Sequence, residues 1–454
     1  MKHRPILDPT FLPAALWNRM YAAKVKLNPG STPLALTLHR GDSTTSVYRT
    51  QVLPHTEENS ALNILYVERL LKFLLWQRGG YRVLIAGDPG IAKQIKAIYS
   101  PGGQRAFDYE IMGSKIYGRP MEIESSDDVP EPMELSIPLG RHLDGCRIGF
   151  DLGGSDRKCA ALIDGKVVFS EEVRWDPYFQ SDPNYHYDGI QASLRRAAEK
   201  LPRVDAIGGS AAGVYVNNEV RAASLFRGVS PADFENRVRR IFFDLQKEWG
   251  GIPFEVVNDG EVTALAGSMS LNDNAVLGVS LGTSQAAGYV DSDGRIRPWL
   301  NELAFAPVDY SEQAPVDEWS GDRGCGVQYF SQQGVARLVP LAGIDLPDGM
   351  AFAEQLVEVQ SLMAEGDPKA RAIYETIGTC FGYAVAHYSD FYEIRNLLIL
   401  GRVTSGAGGE VILENASAVL RDEFPELAIQ LRTPDEKDKR HGQAVAAASL
   451  PKLN

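Results

Sequence analysis

Cysteine is scarce. The chain has four in 454 residues, Cys146, Cys159, Cys325 and Cys380, far apart and without a CxxC pair. That excludes a disulfide framework and an ordinary zinc knuckle, and predicts buried reduced thiols. Basic charge is short too: 46 Lys and Arg stand against 59 Asp and Glu, a net charge of −13. Such a balance predicts neither a nucleic-acid partner nor an anionic membrane surface. The densest basic cluster, Arg237, Arg239 and Arg240, adjoins Ile241, Phe242 and Phe243 and reads as the wet edge of an amphipathic helix. No run approaches the roughly 18 apolar residues of a membrane span, and Met1 to Phe11 has no apolar signal-peptide core. The expectation is a cytoplasmic protein with no membrane partner. Low-complexity tracts are absent as well, so most of the chain should fold.

What is present is a chain long enough for two or three domains, with 44% hydrophobic and 23% charged residues. The stretch 129–139, VPEPMELSIPL, has three prolines and follows Glu122, Glu124, Asp127 and Asp128, which marks a connector. Before it, 33–52 reads as a hairpin around Gly41-Asp42. Residues 61–77 read as a helix and 81–86 as a buried strand, ending in a plain Gly87-Asp88-Pro89-Gly90 turn. The N-terminal region, 1–140, is thus mixed α/β and shows no chemistry of its own. After the connector, strands are predicted at 147–150, 158–163, 166–173, 206–209, 254–257, 275–280, 286–290 and 396–400. Helices are predicted at 190–201, 261–269 and 368–392, with a last one through Gln443 to Ser449. Two strand-hairpin units with helices between them predict duplicated α/β lobes around a cleft.

Four segments can carry chemistry. Asp151-Leu152-Gly153-Gly154-Ser155 follows a strand. Its glycines let bare N–H groups approach phosphate, Asp151 is a candidate Mg²⁺ ligand, Ser155 offers a hydroxyl, and Lys158 follows on the next strand. The alternative is a plain Gly-Gly hairpin turn. Gly278 to Ser284, GVSLGTS, repeats the strand-and-turn pattern with Gly282 and Thr283; a tight hairpin competes. Between them, Asn258-Asp259-Gly260 stands at a strand end before a helix, where Asp259 is either a proton acceptor or a helix cap. Last, Gly401, Gly406, Gly408 and Gly409 follow a strand and would let a flat ligand such as adenine lie against the backbone. An ordinary glycine-rich loop is the alternative there.

The order of these elements resembles the ROK family (repressors, open reading frames and sugar kinases) of the actin and hexokinase superfamily, over residues 146–450. Asp151 to Ser155 is similar to its DxGGT with Ser for Thr, Asn258-Asp259 to its NDAN turn, and Gly282-Thr283 to the start of its GTGxGGG loop. Helix 368–392 with Leu398 to Gly401 is similar to its adenosine-side segment. The resemblance implies an actin-like (ribonuclease H-like) two-lobed domain at 146–454. It implies ATP and Mg²⁺ as cofactors, Asp259 as general base, Asn258 and Glu302 as sugar contacts, and a sugar as the small-molecule partner. Phosphoryl transfer to a sugar hydroxyl is then the expected activity; a catalytically weakened sugar- or nucleotide-binding regulator is the alternative. Three departures stand out. After Gly282-Thr283 the chain has Ser284, Gln285, Ala286 and Ala287 before Gly288, where the family's second loop is mostly glycine. Phe305 stands where the family has a zinc-binding His. The zinc segment CxCGxxGCxE becomes EWSGDRGCGV (318–327), retaining only Gly321, Gly324 and Cys325, with Val327 in place of a sugar-contacting Glu. No structural zinc is expected. No helix-turn-helix is legible in 1–140, so a repressor is not expected. That region is expected to act as a lid or as the interface of a homodimer.

Overall fold

The computed structural model of the chain describes residues 1–41, 44–134, 139–433 and 436–453, with backbone only for 436–441. Asp42 and part of the connector (135–138) therefore lie outside the described residues.

The N-terminal module is built from α1 (Ala14–Leu27), β1 (Thr32–His39), β2 (Thr45–Val52), α2 (Glu57–Arg78), β3 (Arg82–Ala86), α3 (Pro89–Ile98), α4 (Ala106–Glu110) and β4 (Glu122–Ser126). Its sheet has the order β2-β1-β3-β4. β1 and β2 form the antiparallel hairpin expected of 33–52. Asp88 caps α3 by accepting from the N–H groups of Gly90 and Ile91, which makes Gly87 to Gly90 a strand-to-helix turn. α2 starts where Thr56 accepts from Asn59 N–H behind two acidic residues, and stops at Gly79 with φ 79°. Every residue from Tyr66 to Gln77 is buried, so this helix is apolar-packed on all sides. The reason is a shared core. Buried residues of the module, among them Leu70, Phe73 and Ile85, form one cluster with Leu277, Phe381 and Ile399 from the second half of the chain.

The first lobe follows with β5 (Cys146–Leu152), β6 (Asp156–Ile163), β7 (Lys166–Arg174), α5 (Pro183–Ala198), β8 (Ala206–Ala211), the hairpin β9 (Val214–Val216) and β10 (Glu219–Ala222), α6 (Pro231–Asp233), α7 (Ile241–Glu248) and β11 (Phe254–Asn258). The cluster Arg237 to Arg240 does not sit on one amphipathic helix. A π-turn over Phe234–Val238 precedes α7, and Arg239 instead pairs with Glu219 and Glu235. The second lobe comprises α8 (Asp259–Leu271), β12 (Val276–Leu281), β13 (Gln285–Val290), α9 (Gln332–Leu341), α10 (Phe352–Ala364), α11 (Pro368–Tyr388), β14 (Asn396–Leu400), α12 (Ala407–Glu423), β15 (Gln430–Arg432) and α13 (Glu436–Ala448).

The two lobe sheets, β11-β8-β5-β6-β7 and β13-β12-β14-β15, follow one plan. In each, an antiparallel hairpin (β5-β6 or β12-β13) leads into parallel strands (β8 and β11, or β14 and β15). The duplicated α/β lobes expected from the sequence are present. Between the sheets lie α8 and α13, packed on each other, with α13 on β5 and β8 and α8 on β12 and β13. Glycine makes this layer thin. A Cβ on Gly149 would stand 1.8 Å from the Ala444 carbonyl oxygen, and one on Gly208 1.7 Å from that of Ala447.

A candidate active site between the lobes

Parallel strands end together, and α/β proteins bind ligands outside those carboxyl ends. Here β5, β8 and β11 are in register, with Asp151 opposite Ser210 and Asn258 opposite Ala211. Asp151 is buried, and its Oδ1 accepts from Ser210 Oγ at 2.6 Å. Burial raises its carboxyl above the usual range, against the Ser210 hydrogen bond and Lys158, which lower it. No motif in the sequence singles out Ser210; only strand pairing reveals it.

Asp259 opens α8. The cap role falls on Asn258, whose Oδ1 accepts from Gly260 N–H at 2.7 Å while its Nδ2 donates to the Gly213 carbonyl at 2.7 Å. Asp259 is half-buried, and its Oδ1 also accepts from Gly260 N–H at 3.0 Å. Burial pushes its carboxyl up to about 6, and the negative charge of Asp151 adds to the rise. Glu302 goes the same way: burial, then the charge of Asp259, pushes it up to about 7. The charge of Asp151 thus acts on Asp259 and that of Asp259 on Glu302, which makes the three acids candidates for one site. α8 is held there by close backbone contact, since a Cβ on Gly260 would stand 2.2 Å from the Ala287 carbonyl oxygen and one on Gly288 2.0 Å from that of Gly260.

The glycine turns flank these acids. Gly153 donates its N–H to the Asp156 carbonyl at 2.9 Å and accepts from Trp175 Nε1 at 2.7 Å. Tyr178 Oη lies 2.1 Å from where a Gly154 Cβ would be, so any side chain there would have to displace the Tyr178 ring. Ser155 Oγ donates to Asp156 at 2.9 Å. In the second lobe Gly282 N–H donates to the Ser284 carbonyl at 3.0 Å, and Thr283 and Ser284 are exposed. Gln285 is not in the loop proper: it begins β13, buried, with Nε2 donating to Tyr388 Oη at 3.1 Å. Gly401 has φ 101° and a Cβ there would meet the Leu281 carbonyl oxygen at 2.4 Å, which sets β14's end beside Gly282 and Thr283.

Glu302 is positioned by the N-terminal module. The N–H groups of Asn301 and Glu302 donate to the carbonyls of Gln77 and Trp76, each at 2.9 Å, using acceptors that the end of α2 leaves free. Asn301 is further fixed by Glu261 and by Tyr392 Oη, which donates to its Oδ1 at 2.7 Å. Phe305 packs tilted against Trp76, with ring centroids 4.3 Å apart. The segment 318–327 also meets α2: Asp322 pairs with Lys72 and Arg69 at 3.1 Å each, and with Arg105. Glu68 and Asp108 complete a buried set of three cations and three anions. Among the described residues no group of three or more His, Cys, Asp or Glu is arranged to hold a metal ion. Among them, too, no helix is long and apolar enough to cross a membrane.

No family model and no curated protein matches the chain. Solved structures do. A ROK-family glucokinase from Streptomyces griseus, in complex with glucose and AMPPNP, is 18% identical and covers 68% of this chain and 100% of its own, with a TM-score of 0.51. A ROK hexokinase from Thermus thermophilus is 18% identical over 67% of this chain and 97% of its own, with a TM-score of 0.53. A ROK-family transcriptional regulator, a homologue of the E. coli MLC protein, is 16% identical over 68% of this chain and 78% of its own, with a TM-score of 0.54. The fold is therefore that of the actin-like, two-lobed proteins. More narrowly, it is the fold of ROK-family proteins.

Proposed function

We propose that this chain is a ROK-type kinase that transfers the terminal phosphoryl group of ATP to a hydroxyl of a sugar or related small molecule. The reading rests on Asp151 near the end of β5, Asp259 at the turn from β11 into α8, and Glu302, which feels the charge of Asp259, with burial raising the Asp259 carboxyl to about 6. A base with that value is ionised at neutral pH yet accepts a proton readily. Asp259 takes the proton from the acceptor hydroxyl as the oxygen attacks. Glu302, held by the end of α2, accepts a hydrogen bond from the acceptor and fixes its orientation. Asn258 retains one N–H and one lone pair beyond its structural bonds and lends them to the same end. The turns around Gly154 and Ser155 and around Thr283 bring backbone N–H groups and the Thr283 hydroxyl toward phosphate oxygens, while Gly153 and Gly282 hold those turns in shape and Gly401 seats the end of β14 against Leu281.

The donor set fits Mg²⁺ with ATP. Asp151 offers an oxygen beyond the one held by Ser210, and a cation there offsets the repulsion among the three acids. When bound, the metal nucleotide supplies the phosphoryl group and the charge compensation for its transfer.

A regulatory reading without efficient turnover has its own support. Ser284, Ala286 and Ala287 stand where the resemblance expects glycine, and Ala286 and Ala287 are paired with β12. Turnover of MgATP against a sugar panel separates the two. The kinase reading expects Asp259→Asn to lower kcat by about 10²–10⁴ with nucleotide binding retained. An unchanged rate removes Asp259 as the base. Absence of any thermal shift at saturating MgATP removes the nucleotide site itself.

A further inference from the structure

A cavity of about 240 Å³ opens beside Asn258, where the N-terminal module meets both lobes. Four arginines line it, in a chain whose net charge is −13. Arg40 and Arg119 come from the module, Arg221 from β10 and Arg297 from the second lobe. They are held ready rather than spent. Arg119 lies over the Tyr81 ring at 4.6 Å and, among the described residues, has no acidic partner. Arg221 has one Nη on Glu219 at 2.7 Å, and its buried Nε has no partner among the described residues. Arg297 gives Nε to Asp291 at 3.0 Å and packs over Trp299, its other nitrogens free of ion pairs among the described residues. Arg40 is tied to Glu134, Thr44 and Ser46 and adds field rather than contact.

Two carboxyls share the wall, Glu255 and Glu261. Glu261 is turned to Asn301 and the Tyr289 N–H. Burial raises both carboxyls. Arg119, without an acidic partner among the described residues, and the unpartnered Nε of Arg221 are the donors this wall offers, and guanidinium groups pair with carboxylate and phosphate in fixed geometry.

We propose that this cavity holds an anionic arm of the acceptor, so that the sugar phosphorylated here carries a carboxylate or a phosphate. The inference rests on the kinase reading for the placement of the acceptor at Asn258. The test is calorimetric titration of the full-length protein with glucuronate, glucose 6-phosphate and glucose, at low and high salt, alongside Mg-AMPPNP. An anionic sugar should bind at least about tenfold tighter than glucose, and salt should narrow the gap. Arg119→Gln, at an exposed position, and Arg221→Gln should each erase most of that preference and leave Mg-AMPPNP affinity unchanged. If no anionic sugar exceeds its neutral counterpart, or if the preference survives both substitutions, the proposal is overturned. Mg-AMPPNP binding without anion preference overturns this inference alone. Anion preference without nucleotide binding sinks the kinase reading and leaves an arginine-lined anion site. The two sugar probes separate carboxylate from phosphate.

Discussion

Asp259 sets function against stability. Its carboxyl ordinarily titrates at 3.8 and in the fold at about 6. The folded state therefore binds more protons than the unfolded one between those values, and stability falls as pH rises through that window. Above it the whole cost is present. Asp259→Asn should then be more stable than the parent at pH 7.5, by about 1–3 kcal/mol, because each tenfold change in proton affinity is worth about 1.4 kcal/mol. The two should converge below pH 4. Urea denaturation at both pH values measures this; equal stability at pH 7.5 argues against the strained carboxylate. The same group predicts that kcat/KM of the free enzyme rises with pH along an acid limb near 6. Lys72 is the opposite case, a charge whose removal costs. Although burial works against it, Asp108 and Asp322 hold its ammonium above its usual value. Lys72→Met leaves both carboxylates short of a partner in a buried set that is otherwise balanced. A loss of about 3–5 kcal/mol is expected, read as a lower denaturation midpoint. Asp322→Asn in the Lys72→Met background should recover part of it, because the two residues act as one network.

At the scale of elements, glycine decides how closely α13 lies on the first lobe. Gly149→Ala places a methyl where the Ala444 carbonyl now sits, and no side-chain rotation relieves a clash with backbone. The helix must move off β5, with an expected loss of about 1–3 kcal/mol or more, visible as a lowered Tm. Gly102→Ala, with open space around its Cβ, is the control that should not move it. These contacts also explain what is legible in the sequence. The hairpins β1-β2, β5-β6 and β12-β13, the turns after them and the order of the glycine motifs are local features, and local patterns expose them. The cap on α8 is ambiguous by one residue, because Asn258 and Asp259 both suit a helix start, and in the fold both side chains accept from Gly260 N–H. α9, α10, α12 and the β9-β10 hairpin are not among the elements expected from the sequence. Lys72 does leave a trace, a lone cation in the apolar run RLLKFLLW, but its partners stand 36 and 250 residues away. No single window contains that relation.

At the scale of the molecule, the connector suggests a detachable N-terminal region acting as a lid or an interface. The module instead supplies part of the second lobe's interior. α2 is buried along its last three turns, shares one apolar cluster with α11, β12 and β14, neutralises Asp322, and gives the carbonyls that hold Asn301 and Glu302. A fragment of residues 141–454 would expose that apolar face, which exceeds what a soluble monomer tolerates, and would leave Asp322 buried without a cation. It should be insoluble or lack fixed tertiary packing, with near-UV circular dichroism lost, and should bind no MgATP. In the intact chain, tryptophan emission and far-UV circular dichroism should follow one urea transition, since Trp17 and Trp76 lie in the module's part of the shared core. A fragment that is soluble, keeps its near-UV signal and binds MgATP as the parent does would make the module an accessory. Two separated transitions in the intact chain would say the same, because a core shared between the module and the lobe unfolds as one.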